Sequence, residues 1–425
     1  MLLLHLSDLH FRDGVTGTTL DPDLHLRNEL VRDAEVMCGR LGEVPAAILL
    51  SGDIAFAGNA REYEFAGAWL ETLCQKCRVP LSSVFTCPGN HDVVRGVAGR
   101  RAIQALHREI KTAGDVSLDA VISGMLTDPE THRMLYESLN PYNAFAGQFF
   151  CDLLPPERTV SRRDLLLNDG SVLRLSGLNS TFVSSAADAV GSLYVDPSCR
   201  QIMREAGVEH LVMSHHGYRW LHQGDLLRDH LNSVARLHLF GHEHIDRIEI
   251  GRDWVRIAAG AAHPDRREQN WEPGYNFIKL SVRGTGFDRH LDVSVHVRVW
   301  QQRPDQFRAK MDRDADSFMT SIKLEPWEAP APLPLQLPAG AAPAPTPAAE
   351  QPTRNDPMAQ LRELSVRFFR LTLSQKSAIA GKLSLMEEDD ANHPDFERFR
   401  RALLRARDRH LMDALEQEIA SIETA

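Results

Sequence analysis

Early in the chain, apolar positions switch between short unbroken runs and a helical repeat. Leu2 to Leu6 is a run that stops at Ser7-Asp8, and Ala46 to Leu50 is another that stops at Ser51-Gly52-Asp53. Between them Leu26, Leu30, Ala34 and Met37 recur at helical spacing, so the pattern predicts strand, helix, strand. A helical stretch from about Glu62 to Cys77 follows, and Val84 to Cys87 predicts a third strand that ends at Pro88-Gly89-Asn90-His91. Val172 to Leu178, Leu211 to Met213 and Leu237 to Phe240 continue the series. Such alternation predicts a layered α/β fold, and each polar group follows the carboxyl end of its strand, where open α/β sheets place their sites.

Between Val93 and Leu154 the pattern turns helical and irregular, which predicts a helical cap inserted at about 95–155. Alternating residues around Asn168-Asp169-Gly170 predict a hairpin over Asp164 to Leu175. Trp254 to Ala258, Tyr275 to Val282 and Val293 to Gln301 alternate as strands do and would complete a second sheet. From about 327 to 357 proline and alanine dominate, a composition that buries no core and predicts an extended tether. Three helices are expected after it in a bundle over 358–425. Leu361, Leu364 and Phe368 mark the first; Thr372 and Gln375 form a capping box for the second. Pro394 opens the third, whose stripe runs from Phe399 to Ile419. Residues 1–326 are thus read as one layered domain, 327–357 as a Pro/Ala-rich linker and 358–425 as a small helical bundle.

Composition narrows the class. With 43% hydrophobic and 25% charged residues the chain is of ordinary globular type. No leader-like or membrane-length segment is recognisable, which points to a cytoplasmic protein with no membrane partner. Six scattered cysteines do not form a disulfide framework; Cys74-x-x-Cys77 falls in an amphipathic helical pattern and reads as helix packing. A net charge of −10 supplies no global attraction to nucleic acid, although a local groove could still bind it. The arginines from Arg398 to Arg409 are interspersed with acids and read as a solvated helix face.

Five islands at the strand ends carry the chemistry: Asp8-Leu9-His10, Gly52-Asp53, Gly89-Asn90-His91-Asp92, His215-His216 and Gly241-His242-Glu243-His244. Phosphate-ester hydrolysis needs an activated water and neutralisation of the phosphoryl oxygens, and a pair of divalent cations supplies both. Carboxylates and neutral imidazoles are ligands for such ions, of the Mn, Fe, Zn or Ni class. In Asp8-x-His10 and His242-x-His244, side chains two apart on an extended backbone face the same way.

In order and content these islands resemble the signature of the calcineurin-like metallophosphoesterases, over roughly residues 1–300. The resemblance implies a two-sheet β-sandwich flanked by helices, with two metal ions at one edge. It implies Asp8, His10 and His244 on one ion, Asn90, His215 and His242 on the other, and Asp53 bridging them. It further implies a metal-bridging hydroxide as nucleophile, His91 at the leaving group and Asp92 orienting His91. Because Gly217 follows His215-His216 where relatives often carry proline, the choice of His215 over His216 rests on motif alignment. Arg12, Asn179, Arg95 and His263 flank the motifs, and Arg12, Asn179 and His216 are the candidate substrate contacts.

The motif style is most similar to the branch of bacterial cyclic-nucleotide phosphodiesterases, which implies phosphodiester hydrolysis on a nucleotide-type substrate. A metal-dependent nuclease is the alternative, with the C-terminal bundle as a targeting device. That bundle weakly resembles the adaptor domains that bacterial signalling and defence proteins tether to an effector, implying a protein partner. A noncatalytic scaffold ranks last, because every ligand position is filled.

Overall fold

The computed structural model describes residues 1–268, 271–329 and 357–424, and the tether expected at 327–357 falls outside them from residue 330 to 356. Two compact units emerge, Met1–Pro326 and Trp327–Ala425.

Two sheets form the larger unit. The first contains β1 (Leu2–Leu6), β2 (Pro45–Leu50) and β3 (Val84–Thr86), and the second β4 (Val160–Leu166), β5 (Val172–Leu178), β6 (Val208–Ser214), β7 (Ala235–Phe240), β8 (Arg247–Ile250) and β9 (Val255–Ala258). The chain then returns to the first sheet with β10 (Gly274–Arg283), β11 (His290–Gln301), β12 (Gln306–Ala309) and β13 (Phe318–Lys323). Strand order is β12-β11-β10-β1-β2-β3, with β13 also on β11, and β4-β5-β6-β7-β9-β8. In the first sheet β1 pairs parallel with β2 and antiparallel with β10, which makes the N-terminal strand central. All five of its residues are buried, as befits a strand covered on both faces. In the second, β5, β6, β7 and β9 run parallel between the antiparallel edges β4 and β8.

The parallel connections require helical crossovers. Helices α1 (Leu24–Leu41) and α2 (Ala60–Cys77) supply them for the first sheet, burying Leu26, Leu30, Ala34 and Met37 from one and Ala66, Leu70 and Leu73 from the other. Asn59 and Glu62 close a capping box at the start of α2. Helices from Arg95 to Ala146 form the insertion. Tyr63 of α2 stacks on its Phe145 at 5.2 Å, which anchors the insertion beside the site described below. The hairpin pairs β4 with β5 in register from Val160↔Leu178 to Leu166↔Val172.

Among the described residues the smaller unit has four α-helices, not three: Pro357–Arg370, Leu373–Lys382, Asp395–Asp408 and Met412–Glu423. The stripe read as one third helix breaks at His410, whose φ of 57° ends the turn while the Leu411 amide donates back to the Ala406 carbonyl. Hydrophobic spacing runs through this break because both helices face the same core of Phe368, Phe399, Leu403, Leu415 and Ile419. Among the described residues no helix is long and apolar enough to cross a membrane.

Candidate metal centre

Five loops meet at one edge of the sandwich, three leaving β1, β2 and β3 and two leaving β6 and β7. Backbone hydrogen bonds lock them together: Asp8 N donates to Gly52 O (3.1 Å), His10 N to Asp53 O (3.0 Å) and Gly241 N to His215 O (3.0 Å). Asp8, His10, Asp53, His242 and His244 all adopt positive φ, between 47° and 69°. Left-handed backbone at non-glycine residues is held only where surrounding structure over-determines it, and such strain clusters at functional sites. Gly52 has φ 97°, and a Cβ there would fall 2.6 Å from His215 Nδ1, so close approach of the β2 and β6 loops requires glycine.

Asp8, His10 and His244 bring one ligand atom each to within 4.8 Å of one another, and His215, His216 and His242 do the same. Asp53 belongs to two further groups, with His10 and His91 and with Asp8 and His215, and so lies between the others. Asn90 Oδ1 is 3.2 Å from His215 Nε2 and 3.1 Å from His216 Nε2. The seven residues expected to hold metal therefore converge. Both members of the His215-His216 pair converge with them; His215 is the one beside Asp53, with Nε2 3.2 Å from Oδ2.

Outer partners orient the imidazoles. His215 Nδ1–H donates to Ser51 O (2.8 Å), His91 Nδ1–H to Phe56 O (2.6 Å) and His244 Nδ1–H to the Glu268 carboxylate (2.9 Å). Each bond places the ring proton on Nδ1 in the neutral imidazole and leaves an Nε2 lone pair for the site. Asp53 Oδ1 accepts the His91 amide at 2.7 Å, and Asp8 Oδ2 accepts the His242 amide at 3.2 Å.

Electrostatics tests whether cations fit. Asp8 and Asp53 are 0% and 1% exposed, and among the described residues neither pairs with lysine or arginine. Burial opposes ionisation of both, yet neighbouring imidazoles, chiefly His244 for Asp8 and His215 for Asp53, hold the carboxyls below their usual range. The imidazoles respond in turn. Burial works against charge on His215 and His244, but the Asp53 and Asp8 carboxylates outweigh it and raise them to about 9 and about 10. His10 and His242 are lowered to about 4, mainly by burial. Two buried carboxylates that recruit protons onto histidines form a site short of positive charge, and divalent cations fit that donor set.

Asp92 does not orient His91 as expected. Its Oδ1 accepts from Ile54 N, Ala55 N and Tyr63 Oη, and its Oδ2 from Gly89 N, so it pins the β2 and β3 loops while the Phe56 carbonyl holds the His91 ring. Burial, and then the Asp53 charge, push the Asp92 carboxyl up to about 7. Arg12 lies 3.8 Å above the Phe56 ring, which is itself 5.2 Å from His91, and so stands at the rim. Asn179 is buried, and its Oδ1 accepts from the Thr181 amide and hydroxyl, a turn-closing role. His263 donates to Leu9 O and braces the first loop; Arg95 opens the short helix Arg95–Ala98. Phe56, Tyr63, Glu268 and Ser180, which bonds the His216 ring at 2.8 Å, were not legible as site residues. They act through a backbone carbonyl or across long sequence separations, and no spacing marks them.

Residues 1–246, more than half of the chain, match the family model described as calcineurin-like phosphoesterase, and residues 360–421 match that of the GTPase-associated adaptor domain. No curated protein matches. Solved structures similar to the chain include a conserved uncharacterized protein of Streptococcus pneumoniae TIGR4, a predicted phosphoesterase, at 10% identity and TM-score 0.28, covering 75% of this chain and 97% of that one. Vps29 of Chaetomium thermophilum aligns at 9% identity and TM-score 0.30, covering 76% and 98%. A novel archaeal phosphodiesterase aligns at 11% identity and TM-score 0.26, covering 66% and 93%. With the match over residues 1–246 and the converging loops together, the chain belongs to the calcineurin-like phosphoesterase family and is a phosphate-ester hydrolase.

Proposed function

We propose that the protein is a dimetal phosphodiesterase acting on a nucleotide-type substrate, with residues 1–326 as catalytic unit and 358–425 as a tethered protein-interaction module. The observation that carries the dimetal reading is the pair of buried, arginine-free carboxylates ringed by imidazoles. Asp8, His10 and His244 would hold one ion and Asn90, His215 and His242 the other, with Asp53 shared and His216 the alternative to His215. Two divalent ions at this donor set supply an activated water and neutralise the nonbridging phosphoryl oxygens.

The chain's own residues do the rest. His91 stands beside His10 and Asp53 with its ring fixed by Phe56 O, so that the imidazolium form would donate from Nε2–H to the leaving oxygen. Arg12 at the rim presents a cation to a second phosphoester substituent. We infer that the insertion, packed on α2 through Phe145, limits approach to this edge and so favours a small or flexible substrate.

A nuclease effector recruited through the C-terminal bundle is the second reading, favoured by the adaptor-domain match over 360–421. Within the bundle Arg367, Arg401, Arg405 and Arg409 are each paired with a carboxylate, so the module is suited to a protein partner more than to a phosphate backbone. The test is a hydrolysis panel with the full chain under Mn, Fe, Zn and Ni, spanning cyclic nucleotides, dinucleotides, single-stranded DNA and RNA, and monoesters. Turnover of cyclic nucleotides or dinucleotides with polymers untouched supports the first reading. Turnover confined to polymers transfers the assignment to the nuclease, and turnover of monoesters alone defeats both.

A further inference from the structure

The helical stripe around Cys74-x-x-Cys77 accounts for Cys74, which packs 3% exposed with burial pushing its thiol up to about 12. The same stripe buries Cys77, but this second cysteine also has a cysteine neighbour on the adjoining helix. Cys77 ends α2 and stands beside Cys38, near the end of α1, on one stretch of surface. Both cysteines line a surface cavity of about 300 Å³, together with Glu35, Lys76 and Arg78. The Lys76–Glu35 ion pair, at 3.4 Å, bridges the same two helices beside them.

The two thiols are inequivalent. Cys38 is half-buried, and Cys77 is 1% exposed. The contact with Cys77 is the leading cause that holds the Cys38 thiol below its ordinary range, and the same contact, with burial, raises that of Cys77. The remaining cysteines, Cys87, Cys151 and Cys199, are buried. A reactive cysteine is one that is accessible and readily ionised, and a regulatory pair adds a second thiol within reach. A metal role is not favoured, because the groups able to hold an ion among the described residues all lie at the sandwich edge.

We propose that Cys38 and Cys77 are a peroxide-responsive disulfide pair that staples α1 to α2. The Cys38 thiolate attacks one oxygen of a peroxide; the O–O bond breaks, sulfur loses two electrons to become a sulfenic acid, and the departing oxygen takes up a proton as alcohol or water. The Cys77 sulfur then attacks the Cys38 sulfur, its proton leaves with the hydroxyl as water, and the S–S bond forms. Glu62 and Tyr63, which brace the site loops, lie at the opposite end of α2, so the staple leaves the proposed metal ligands in place.

The test treats the full chain with hydrogen peroxide, blocks free thiols with iodoacetamide and maps peptides without reduction. The expected product is one intramolecular link between the peptides carrying Cys38 and Cys77, reversed by dithiothreitol, with a higher thermal midpoint before reversal. Cys74→Ser should leave the link intact, and Cys77→Ser should stop at a Cys38 sulfenic acid captured by dimedone. A Cys74–Cys77 link, over-oxidation of Cys38 without a link in the unsubstituted chain, or peroxide-inert thiols in protein with unchanged circular dichroism would each overturn the proposal.

Discussion

Replacing Asp53 by asparagine keeps the shape of the side chain and removes one negative charge from the middle of the site. Asp53 is 1% exposed, its Oδ1 accepts the His91 amide at 2.7 Å, and its Oδ2 lies 3.2 Å from His215 Nε2 and 4.0 Å from His10 Nε2. Breaking a buried, hydrogen-bonded charge pairing costs about 3–5 kcal/mol. If Asp53 is the shared ligand, that loss falls on cation binding, and at about 1.4 kcal/mol per decade it corresponds to roughly 10²–10⁴ in affinity. A cation at 100 times its Kd stabilises the unsubstituted protein by about 2.7 kcal/mol, whereas one weakened about 100-fold contributes only about 0.4 kcal/mol. The assay is urea unfolding of metal-stripped protein with and without manganese, alongside hydrolysis of bis-p-nitrophenyl phosphate. An Asp53→Asn protein with native circular dichroism, full metal stabilisation and full turnover would refute the assignment of Asp53 as shared ligand.

Three further outcomes are expected. A Cβ at Gly89 would overlap the Asp53 carboxylate and backbone, so Gly89→Ala should abolish hydrolysis and lower stability by about 1–3 kcal/mol; native turnover would show that the two loops can separate. Arg289, 1% exposed, reaches Asp169 (2.7 Å), Glu209 (3.0 Å) and Ser171 (2.6 Å) from the start of β11 and so ties one sheet to the other. Arg289→Met should cost about 3–5 kcal/mol in urea unfolding, and a loss below about 1 kcal/mol would mean the network is dispensable. His107 in the insertion is lowered to about 4, by burial and then by Lys111. Its folded value lies below its unfolded value, so its contribution is complete above about pH 6.5 and is lost as pH falls toward 4. His107→Leu should therefore flatten the decline of the thermal midpoint across that window, and parallel curves for the two proteins would count against it.

Elements with strong local patterns were legible. The islands stand where apolar runs end, and β1, β2, β3, β6 and β7 all hand over to them. The short edge strands β8, β12 and β13 escaped notice because they are largely exposed and show no buried alternation of their own. The break at His410 escaped for the opposite reason, since the apolar stripe continues across it.

Which residues could carry metal chemistry was thus decided by the chain alone, because carboxylates and imidazoles keep their ligand properties wherever they lie. Which of them face one another was decided only by tertiary structure. Strand order brings the β2 and β6 loops together although Asp53 and His215 are far apart in sequence. The partners that orient the rings, Phe56 O for His91, Ser51 O for His215 and Glu268 for His244, emerge in the same way. Hydrophobic periodicity encodes how a segment folds against a core, whereas the proximity of two distant side chains depends on sheet registers that no local pattern records.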